Sequence, residues 1–242
     1  RGLASGPLII LEMPPKCLKP PVRVWSKESS KKMKERLHQM VELYPLEKSQ
    51  SDCRTPKGRL YLNHLRAWML LENCGLRLSE VWSLPLENID VSNAEIRISD
   101  IDADGGRNNR GKKFKIRFRV KGRYGQGRIA YMSQDVVGFL EKDKALRGPR
   151  ERWFLDRGDG SNLYANPNAL GRALERHQEA CGIKGEAKRT HSYRATVLTE
   201  LCRINPYSAQ QQAGHADIST TIEAYAAKTP ENVKEALNLI KK

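Results

Sequence analysis

The stretch "EIRISDIDADGGRNNRGKKFKIRFRVKGRYGQGRIAYMS" covers residues 95–133 and differs in pattern from the rest of the chain. Its segments EIRIS, KIRFRV and GRIAYMS alternate apolar and polar residues or are rich in β-formers, and glycine-rich turns separate them. The flanking regions instead carry apolar residues at helical spacing. We therefore predict a mainly helical α+β fold that contains one small, three-stranded antiparallel sheet.

Helices are predicted on both sides of this sheet. One should begin at about Ser26, which can cap it, and a second, buried helix should cover residues 61–73. The second helix should end at Gly75, because glycine readily adopts the left-handed conformation that closes a helix. A further helix is expected to begin near Ser79, and helices resume at Ser133 and continue towards the end of the sequence.

The composition favours a polyanionic partner. The 242 residues include 43 Lys plus Arg against 28 Asp plus Glu, a net charge of +15, and nucleic acid is the commonest partner of such a chain. A membrane surface is the competing interpretation, but the longest apolar run, residues 8–11, is too short to span and no signal peptide precedes it. The five cysteines show no CxxC spacing, so we expect reduced thiols in a cytoplasmic, nucleoid-associated protein.

The most basic segment, residues 105–128, contains ten Lys or Arg and no acid. As a strand, KIRFRV and the lysine after it would place four cations on one face, which suits a phosphate backbone. The alternative is a solvated edge strand that is kept basic to prevent aggregation. Lys121 would lie where the strand enters a hairpin turn and could project beyond the sheet. The candidate DNA-binding residues are Lys112, Lys113, Lys115, Arg117, Arg119 and Arg123.

The segment DIDADG, residues 100–105, imitates the opening of a calcium-binding loop. The twelfth position, which should be a bidentate Glu, is Gly111, and the following residues are strongly cationic. We therefore predict no metal site here.

Two further segments place arginines at the beginnings of helices. His191 and Arg194 in HSYR are three residues apart, so they would share one face and form a phosphate cradle, or simply be two satisfied polar residues at a helix start. Arg77, in GLRLSE, lies in an apolar break between helices, where its partner would be Glu80 or a ligand anion. The apolar anchors of the HSYR helix would be Val197, Leu201 and Ile204.

The segment AGHADISTTIEAYA, residues 213–226, contains a histidine and a tyrosine ten residues apart. A helix should end at Gly214, which leaves His215 just beyond it. The T-x-x-E pattern at residues 220–223 predicts a capping box, with Tyr225 in the second turn of a short helix. Taken alone, such a tyrosine is more typical of a packed aromatic residue than of a nucleophile.

Read in order, GLRLSE, VKG after the basic strand, HSYR, GH and TTIEAY resemble the tyrosine recombinase (phage integrase) family. They fall within residues 75–225, in the order and with the separations of that family's catalytic domain. Two positions depart from the family pattern: Val120 stands where Gly usually precedes the hairpin lysine, and Tyr193 where Leu usually precedes the second arginine. The insertion at residues 100–114 is also longer than usual.

The resemblance implies a site-specific DNA recombinase that needs no metal, ATP or other cofactor. Tyr225 would attack a DNA phosphodiester and form a 3′-phosphotyrosyl link. Arg77 and Arg194 would clamp the non-bridging oxygens, Lys121 would protonate the leaving 5′-oxygen, and two histidines would donate to the phosphate or help to deprotonate the tyrosine. The implied catalytic residues are Arg77, Lys121, His191, Arg194, His215 and Tyr225, with Glu80 behind them.

The same resemblance implies an organisation into three parts. Residues 1–22 would be a linker or arm from a missing N-terminal core-binding domain, and residues 23–228 would be the catalytic domain. Residues 229–242 would form a helix that docks on a neighbouring subunit, or else packs on its own domain. The expected partner is double-stranded DNA, with a homotetramer on DNA and a monomer without it.

Three rival functions remain. A type IB topoisomerase uses a similar residue set, but the GH element and its short distance to Tyr225 favour a recombinase. A non-catalytic DNA-binding module would share the fold, although all six catalytic positions hold competent residue types. A basic RNA-binding protein would explain the charge but not the order of the motifs, and the aromatic signature of the commonest RNA-binding module is missing.

Overall fold

The computed structural model describes residues 24–44, 57–108, 110–120, 127–183 and 191–226. Its helices are α1 (Lys27–Leu43), α2 (Lys57–Cys74), α3 (Leu78–Trp82), α4 (Gln134–Lys144), α5 (Pro167–Ala180), α6 (His191–Ile204), α7 (Pro206–Ala213) and α8 (Ile218–Tyr225). Its strands are β1 (Ile89–Asp90), β2 (Glu95–Ile98), β3 (Ile101–Arg107), β4 (Lys113–Phe118) and β5 (Arg128–Tyr131). The mainly helical α+β fold is confirmed. The predictions for residues 1–22, Lys121, Arg123 and residues 229–242 lie outside the described residues.

Helix ends follow local signals that are visible in the sequence. The Ser26 hydroxyl accepts a hydrogen bond from the Ser29 amide at the start of α1, as predicted. Asn205 caps α7 in the same way, accepting from the Tyr207 amide. Gly75 and Gly214 follow α2 and α7 with φ angles of 62° and 66°. The predicted left-handed Gly75 and the predicted helix end at Gly214 are therefore confirmed.

The strand pairing differs from the prediction in one respect. EIRIS and GRIAYMS do pair, as β2 and β5, but the third strand of their sheet is β1, in the order β1-β2-β5. KIRFRV belongs to β4 and pairs instead with β3 in a separate two-stranded ribbon. The supposed insertion at residues 100–114 therefore contains a seven-residue strand. Its aspartates and glycines have low β-propensity, so only its pairing with β4 reveals it.

The exposed face of the ribbon carries charges of both signs. In β4 the exposed cations alternate with the buried Ile116 and Phe118, as predicted. Across the ladder, however, Asp102 lies opposite Arg117 and Asp104 opposite Lys115. The Arg117 and Asp102 groups are 4.0 Å apart, and both side chains are about half or more exposed, so this ion pair adds little stability. The predicted row of cations is present on β4, and the opposing strand β3 adds two aspartates to the same exposed face.

The core surrounds α2, which is buried on most of its circumference. α1, α5 and α6 pack against it. Tyr193 of α6 is fully buried, stacks on Trp25 with ring centroids 4.5 Å apart, and accepts a hydrogen bond from the Gln178 amide. These contacts show how the core accommodates a tyrosine at this position.

The buried face of α6 is also different from the predicted one. Tyr193, Leu198 and Cys202 are buried, whereas Ile204 is 84% exposed. Ile204 is the last residue of α6, beyond the reach of the core. The prediction of Ile204 as a core anchor is therefore wrong.

Two histidines are buried together between α2 and α5. His64 Nδ1 lies 2.9 Å from His177 Nε2, and the other His64 ring nitrogen contacts the Tyr164 hydroxyl. Burial, together with the neighbouring His177 and Arg176, lowers the pKa of His64 to about 3. Burial also lowers the pKa of His177 to about 4. Both rings are therefore neutral in the folded protein near neutral pH.

This pair predicts a loss of stability in acid. Below pH 6.5 the unfolded chain takes up protons on both histidines while the folded protein does not, so the free energy of unfolding falls between pH 6.5 and about 4. The slope should approach about 1 kcal/mol per pH unit for each histidine. Urea unfolding between pH 7.5 and 5 would measure it. His177→Gln should reduce the slope, and the same change at the exposed His38 should not. Equal slopes in all three proteins would contradict the assignment.

Candidate active site

The break between α2 and α3 presents Arg77. The Glu80 carboxylate accepts hydrogen bonds from the Arg77 amide at 2.7 Å and from Arg77 Nη1 at 2.8 Å. Glu80 is only 2% exposed, whereas the Arg77 side chain retains 20% exposure. The predicted pairing of these two residues is present, and Arg77 still reaches solvent.

Arg194 joins two parts of the site. It is 1% exposed, its Nη1 donates to the Gly75 carbonyl at 2.8 Å, and its Nη2 donates to the Ala213 carbonyl at 2.6 Å. Each of these nitrogens carries a second N–H, so the guanidinium can hold the backbone and a ligand oxygen together. Arg194 thus fixes the loop before Arg77 against the end of α7.

Gln212 strengthens the same junction. Its side-chain amide donates to the Cys74 carbonyl at 2.7 Å and to the Tyr131 carbonyl at 3.0 Å, and it accepts from the Tyr131 amide at 2.9 Å. These bonds satisfy the end of α2 and the edge of β5 with one buried side chain. Contacts within the protein therefore hold the ends of α2, β5 and α7 together.

His215 and Tyr225 lie next to each other. Their rings are nearly parallel, with centroids 6.0 Å apart and an interplanar angle of 9°. His215 Nδ1 lies 2.9 Å from the Thr221 hydroxyl, and Thr221 is fully buried. The ring of His215 is thus held in position from one side by Thr221 and covered on the other by Tyr225.

The helix that carries Tyr225 begins earlier than predicted. Asp217 caps α8 by accepting from the Ser219 amide at 2.8 Å, so the expected capping box at residues 220–223 is wrong. The Asp217 carboxylate already accepts from a free amide at the start of the helix, and Thr220 and Glu223 are both exposed within the helix. Tyr225 is the last residue of α8 rather than a residue of its second turn.

Arg128 is a site residue that the sequence analysis missed. Its Nη2 lies 2.8 Å from Glu80 Oε2, so Glu80 is shared between Arg77 and Arg128. A Cβ placed on Gly214 would lie 2.6 Å from Arg128 Nε. One signal could have revealed it: β5 alternates, and Arg128 occupies the same side as the buried Ala130. An arginine on the inward side of a strand needs a buried partner.

The charges of the site act on one another. Burial, together with the positive charges of Arg194, Arg77 and Arg128, lowers the pKa of His215 to about 4. Burial also lowers the pKa of Arg194 to about 10, and a negative charge on Tyr225 would act to raise it. Burial alone would raise the pKa of Glu80, but Arg128 and Arg77 hold it below its ordinary value. His215 is therefore a neutral ring in a strongly positive environment.

The structure brings together four of the six predicted catalytic residues, namely Arg77, Arg194, His215 and Tyr225. His191 is exposed at the first residue of α6, one turn before Arg194. Lys121 lies outside the described residues. Of the predicted DNA-binding residues, Arg123 also lies outside them. The others, all on β4 or the loops beside it, are Lys112, Lys113, Lys115, Arg117 and Arg119.

No group of three His, Cys, Asp or Glu side chains in the described ranges could hold a metal ion. Within the same ranges, no helix has the length and apolar character needed to cross a membrane.

Comparison with known families identifies relatives of the chain. The model of the phage integrase family matches residues 39–232. A tyrosine recombinase of Pseudothermotoga lettingae is 27% identical over 154 residues, which are 63% of this chain and 45% of the relative. The chain thus spans less than half the length of this relative.

Solved structures share the fold. The XerA recombinase superimposes with a TM-score of 0.59 at 18% identity, covering 95% of this chain and 68% of its own. The Tn1549 transposon integrase in complex with transposon right end DNA gives 0.60 at 18% identity, covering 93% and 67%. XerH bound to palindromic difH substrate gives 0.59 at 16% identity, covering 92% and 54%.

Proposed function

Because the chain belongs to the phage integrase family, we propose that it is the catalytic part of a site-specific recombinase that cleaves and rejoins DNA through Tyr225. The observation that carries the proposal is that His215, which stacks on Tyr225, lies near the cations Arg77 and Arg194. The buried Glu80 carboxylate holds Arg77 from behind. These residues come from four different helices or helix ends. Packing one core would not require their charges to converge.

The proposed reaction is a transesterification. The Tyr225 hydroxyl loses its proton, its oxygen bonds to phosphorus, and the bond from phosphorus to the 5′-oxygen breaks. The products are a 3′-phosphotyrosyl link and a 5′-hydroxyl. A 5′-hydroxyl from a second strand then attacks the link and releases Tyr225. Since the phosphotyrosine retains the phosphodiester bond energy, the joining step needs no ATP.

The cations of the site stabilise the transition state in this proposal. Negative charge grows on the two non-bridging oxygens as the tyrosine attacks, and Arg77 and Arg194 are held ready to receive it. Arg194 needs little rearrangement, because two backbone carbonyls already fix its guanidinium. His215 is neutral above pH about 4, so it can donate to the phosphate or accept a proton without first losing one.

Lys121 and His191 complete the proposed set. The leaving 5′-oxygen would become an unstable alkoxide, and Lys121 would protonate it. Neighbouring cations favour the loss of a proton from a lysine, and the segment around Lys121 is densely cationic. His191, at the N-terminus of α6, would lie where the helix dipole also favours a phosphate.

The proposed partner is double-stranded DNA. The Tn1549 integrase, which shares the fold, is solved in complex with transposon DNA. In this chain the two-stranded ribbon of β3 and β4 offers phosphate contacts through the exposed side chains of Lys115, Arg117 and Arg119. On DNA we propose a homotetramer, with residues 229–242 docking on a neighbouring subunit, and a monomer without DNA. Residues 1–22 would lead from a DNA-clamping domain.

The experiment begins by letting the protein select a site from a pool of random duplexes. The selected duplex is then nicked beside each candidate cleavage point and incubated with the protein in EDTA. We expect a covalent protein–DNA complex whose linked peptide contains Tyr225. Loss of the complex in EDTA would contradict the mechanism. Relaxation of supercoiled DNA without strand exchange would favour a topoisomerase, and binding without a complex would favour a non-catalytic module.

Gly214 gives a prediction that separates backbone strain at a positive φ from a steric clash with the Arg128 side chain. Gly214→Ala places a Cβ against Arg128 at a φ of 66°, so we expect a lower melting temperature and at least about a tenfold slower formation of the covalent complex. Gly182→Ala is the matched control, because its φ is 72° but a Cβ there meets nothing within 4 Å. It should lose comparable stability and keep its rate. If both variants keep the wild-type rate, the collision has no effect on the site.

A further inference from the structure

The unassigned guanidinium of the site belongs to Arg128. It is the first residue of β5, and its side chain is 11% exposed. Its Nη2 bonds to Glu80, while its Nε and Nη1 are buried and have no hydrogen-bond partner among the described residues. Burying an arginine with two nitrogens unsatisfied is costly, and a core that only needed to pack would use an apolar side chain.

Arg128 touches both halves of the site. Through Glu80 it is connected to Arg77, because the two oxygens of one carboxylate serve the two guanidinium groups. Its side chain also occupies the space beside Gly214 that a Cβ would fill, directly before His215.

The charge balance gives Arg128 a second effect. The net charge is +2 for the three arginines Arg77, Arg128 and Arg194 and the carboxylate of Glu80. His215 is neutral and adds no charge. A phosphodiester carries one negative charge, and the pentacovalent transition state of its transesterification carries two. Without Arg128 the site would have one positive charge fewer and would stabilise the doubly charged transition state less strongly.

We propose that Arg128 is a positioning residue for the strand-cleavage reaction, holding Glu80 and Arg77 in register with the Gly214–His215 turn. This inference rests on the proposed function. With Arg128 present, Glu80 is restrained by cations on two sides, so Arg77 is presented in one orientation. Without it, Glu80 can rotate to take both terminal nitrogens of Arg77, which would withdraw Arg77 from the phosphate.

The test measures single-turnover formation of the covalent complex at saturating protein, and separately the dissociation constant of the DNA complex. Arg128→Met should slow the reaction about tenfold to a hundredfold. The dissociation constant should change less than about threefold, because Arg128 is buried and acts through its neighbours. Arg128→Lys keeps the positive charge but replaces the planar guanidinium by a single ammonium group, so it should keep part of the rate that Arg128→Met loses. Arg97→Met, an exposed arginine on the opposite side of the adjacent strand, is the matched control and should react like wild type.

A double-mutant cycle identifies the route of the effect. If Arg128 acts through Glu80, the variant with both Arg128→Met and Glu80→Gln should react no more than about threefold slower than the slower single variant. If the rate decrease of the double variant equals the product of the two single decreases, the proposal is overturned. A wild-type rate in Arg128→Met, or a change only in its affinity for DNA, would also overturn it. Melting temperatures of all variants exclude unfolding as the cause. If wild-type protein forms no covalent complex, the proposed function fails instead, so the two failures are distinguishable.

Discussion

Tyr225→Phe is expected to form no covalent complex with nicked DNA under conditions in which wild-type protein converts most of it. The substitution keeps the aromatic ring that stacks on His215 and removes only the hydroxyl. Without that oxygen no bond to phosphorus can form, because Tyr225 is the nucleophile of the proposed mechanism. The measurement is a denaturing gel of labelled DNA. It should be sensitive enough to detect a rate about a thousandfold below that of wild type, and we expect the variant to fall below this limit.

The control for this prediction is Tyr207→Phe. Tyr207 belongs to the neighbouring helix α7 and is 70% exposed, so the same chemical change there should leave the rate unaltered. Binding of DNA by Tyr225→Phe should remain within about threefold of wild type, because the phosphate clamp is intact. A Tyr225→Phe protein that still becomes linked to DNA would assign the nucleophile to another residue.

Arg194→Lys should affect both rate and stability. The change retains the charge but replaces a planar fork by a single ammonium, which cannot reproduce the two bonds to the Gly75 and Ala213 carbonyls. Loss of one transition-state donor predicts a rate decrease on the order of a hundredfold to a thousandfold. Weakening the link between α2 and α7 should cost about 2 kcal/mol of stability, which lowers the melting temperature by about 5 °C.

Two measurements separate these effects. Arg172→Lys, at an exposed position of α5, is the control for the substitution itself and should change neither quantity. A DNA substrate in which a methyl group replaces one non-bridging oxygen at the cleaved phosphate carries less charge in the transition state. Arg194→Lys should lose less rate on this substrate than on ordinary DNA. Equal losses on both substrates would show that Arg194 does not stabilise that charge.

Local signals explain which parts of the fold were predictable. Ser26, Gly75 and Gly214 act on their own helix ends, so neighbouring residues contain the information. The alternation in β4 is equally local. Strand β3 was missed because its residues favour turns, and only the ladder with β4, completed by residues that follow it in the chain, makes it a strand.

The site was predictable to the extent that its residues occur in ordered motifs. Arg77, Arg194, His215 and Tyr225 each stand in a short recognisable segment, and the fold brings these four segments together. Arg128 has no such segment, and its importance arises from Glu80 and Gly214, which are distant in the sequence. The bond between Thr221 and His215 is similarly invisible, because the sequence does not show which of three adjacent hydroxyls points inward.

The brevity of α8 has a kinetic consequence. This helix has eight residues, and Thr221 is its one fully buried side chain, so it has little stability of its own and depends on its contacts with α6 and α7. In the proposed reaction, the observed rate constant of cleavage would therefore be that of the docked state multiplied by the fraction of molecules in which α8 is docked. Any contact that raises this fraction, whether from bound DNA or from a second subunit, accelerates the reaction without touching the reacting atoms. In the proposed mechanism, the timing of strand cleavage is thus open to control at a helix that carries Tyr225 but contributes little to the core.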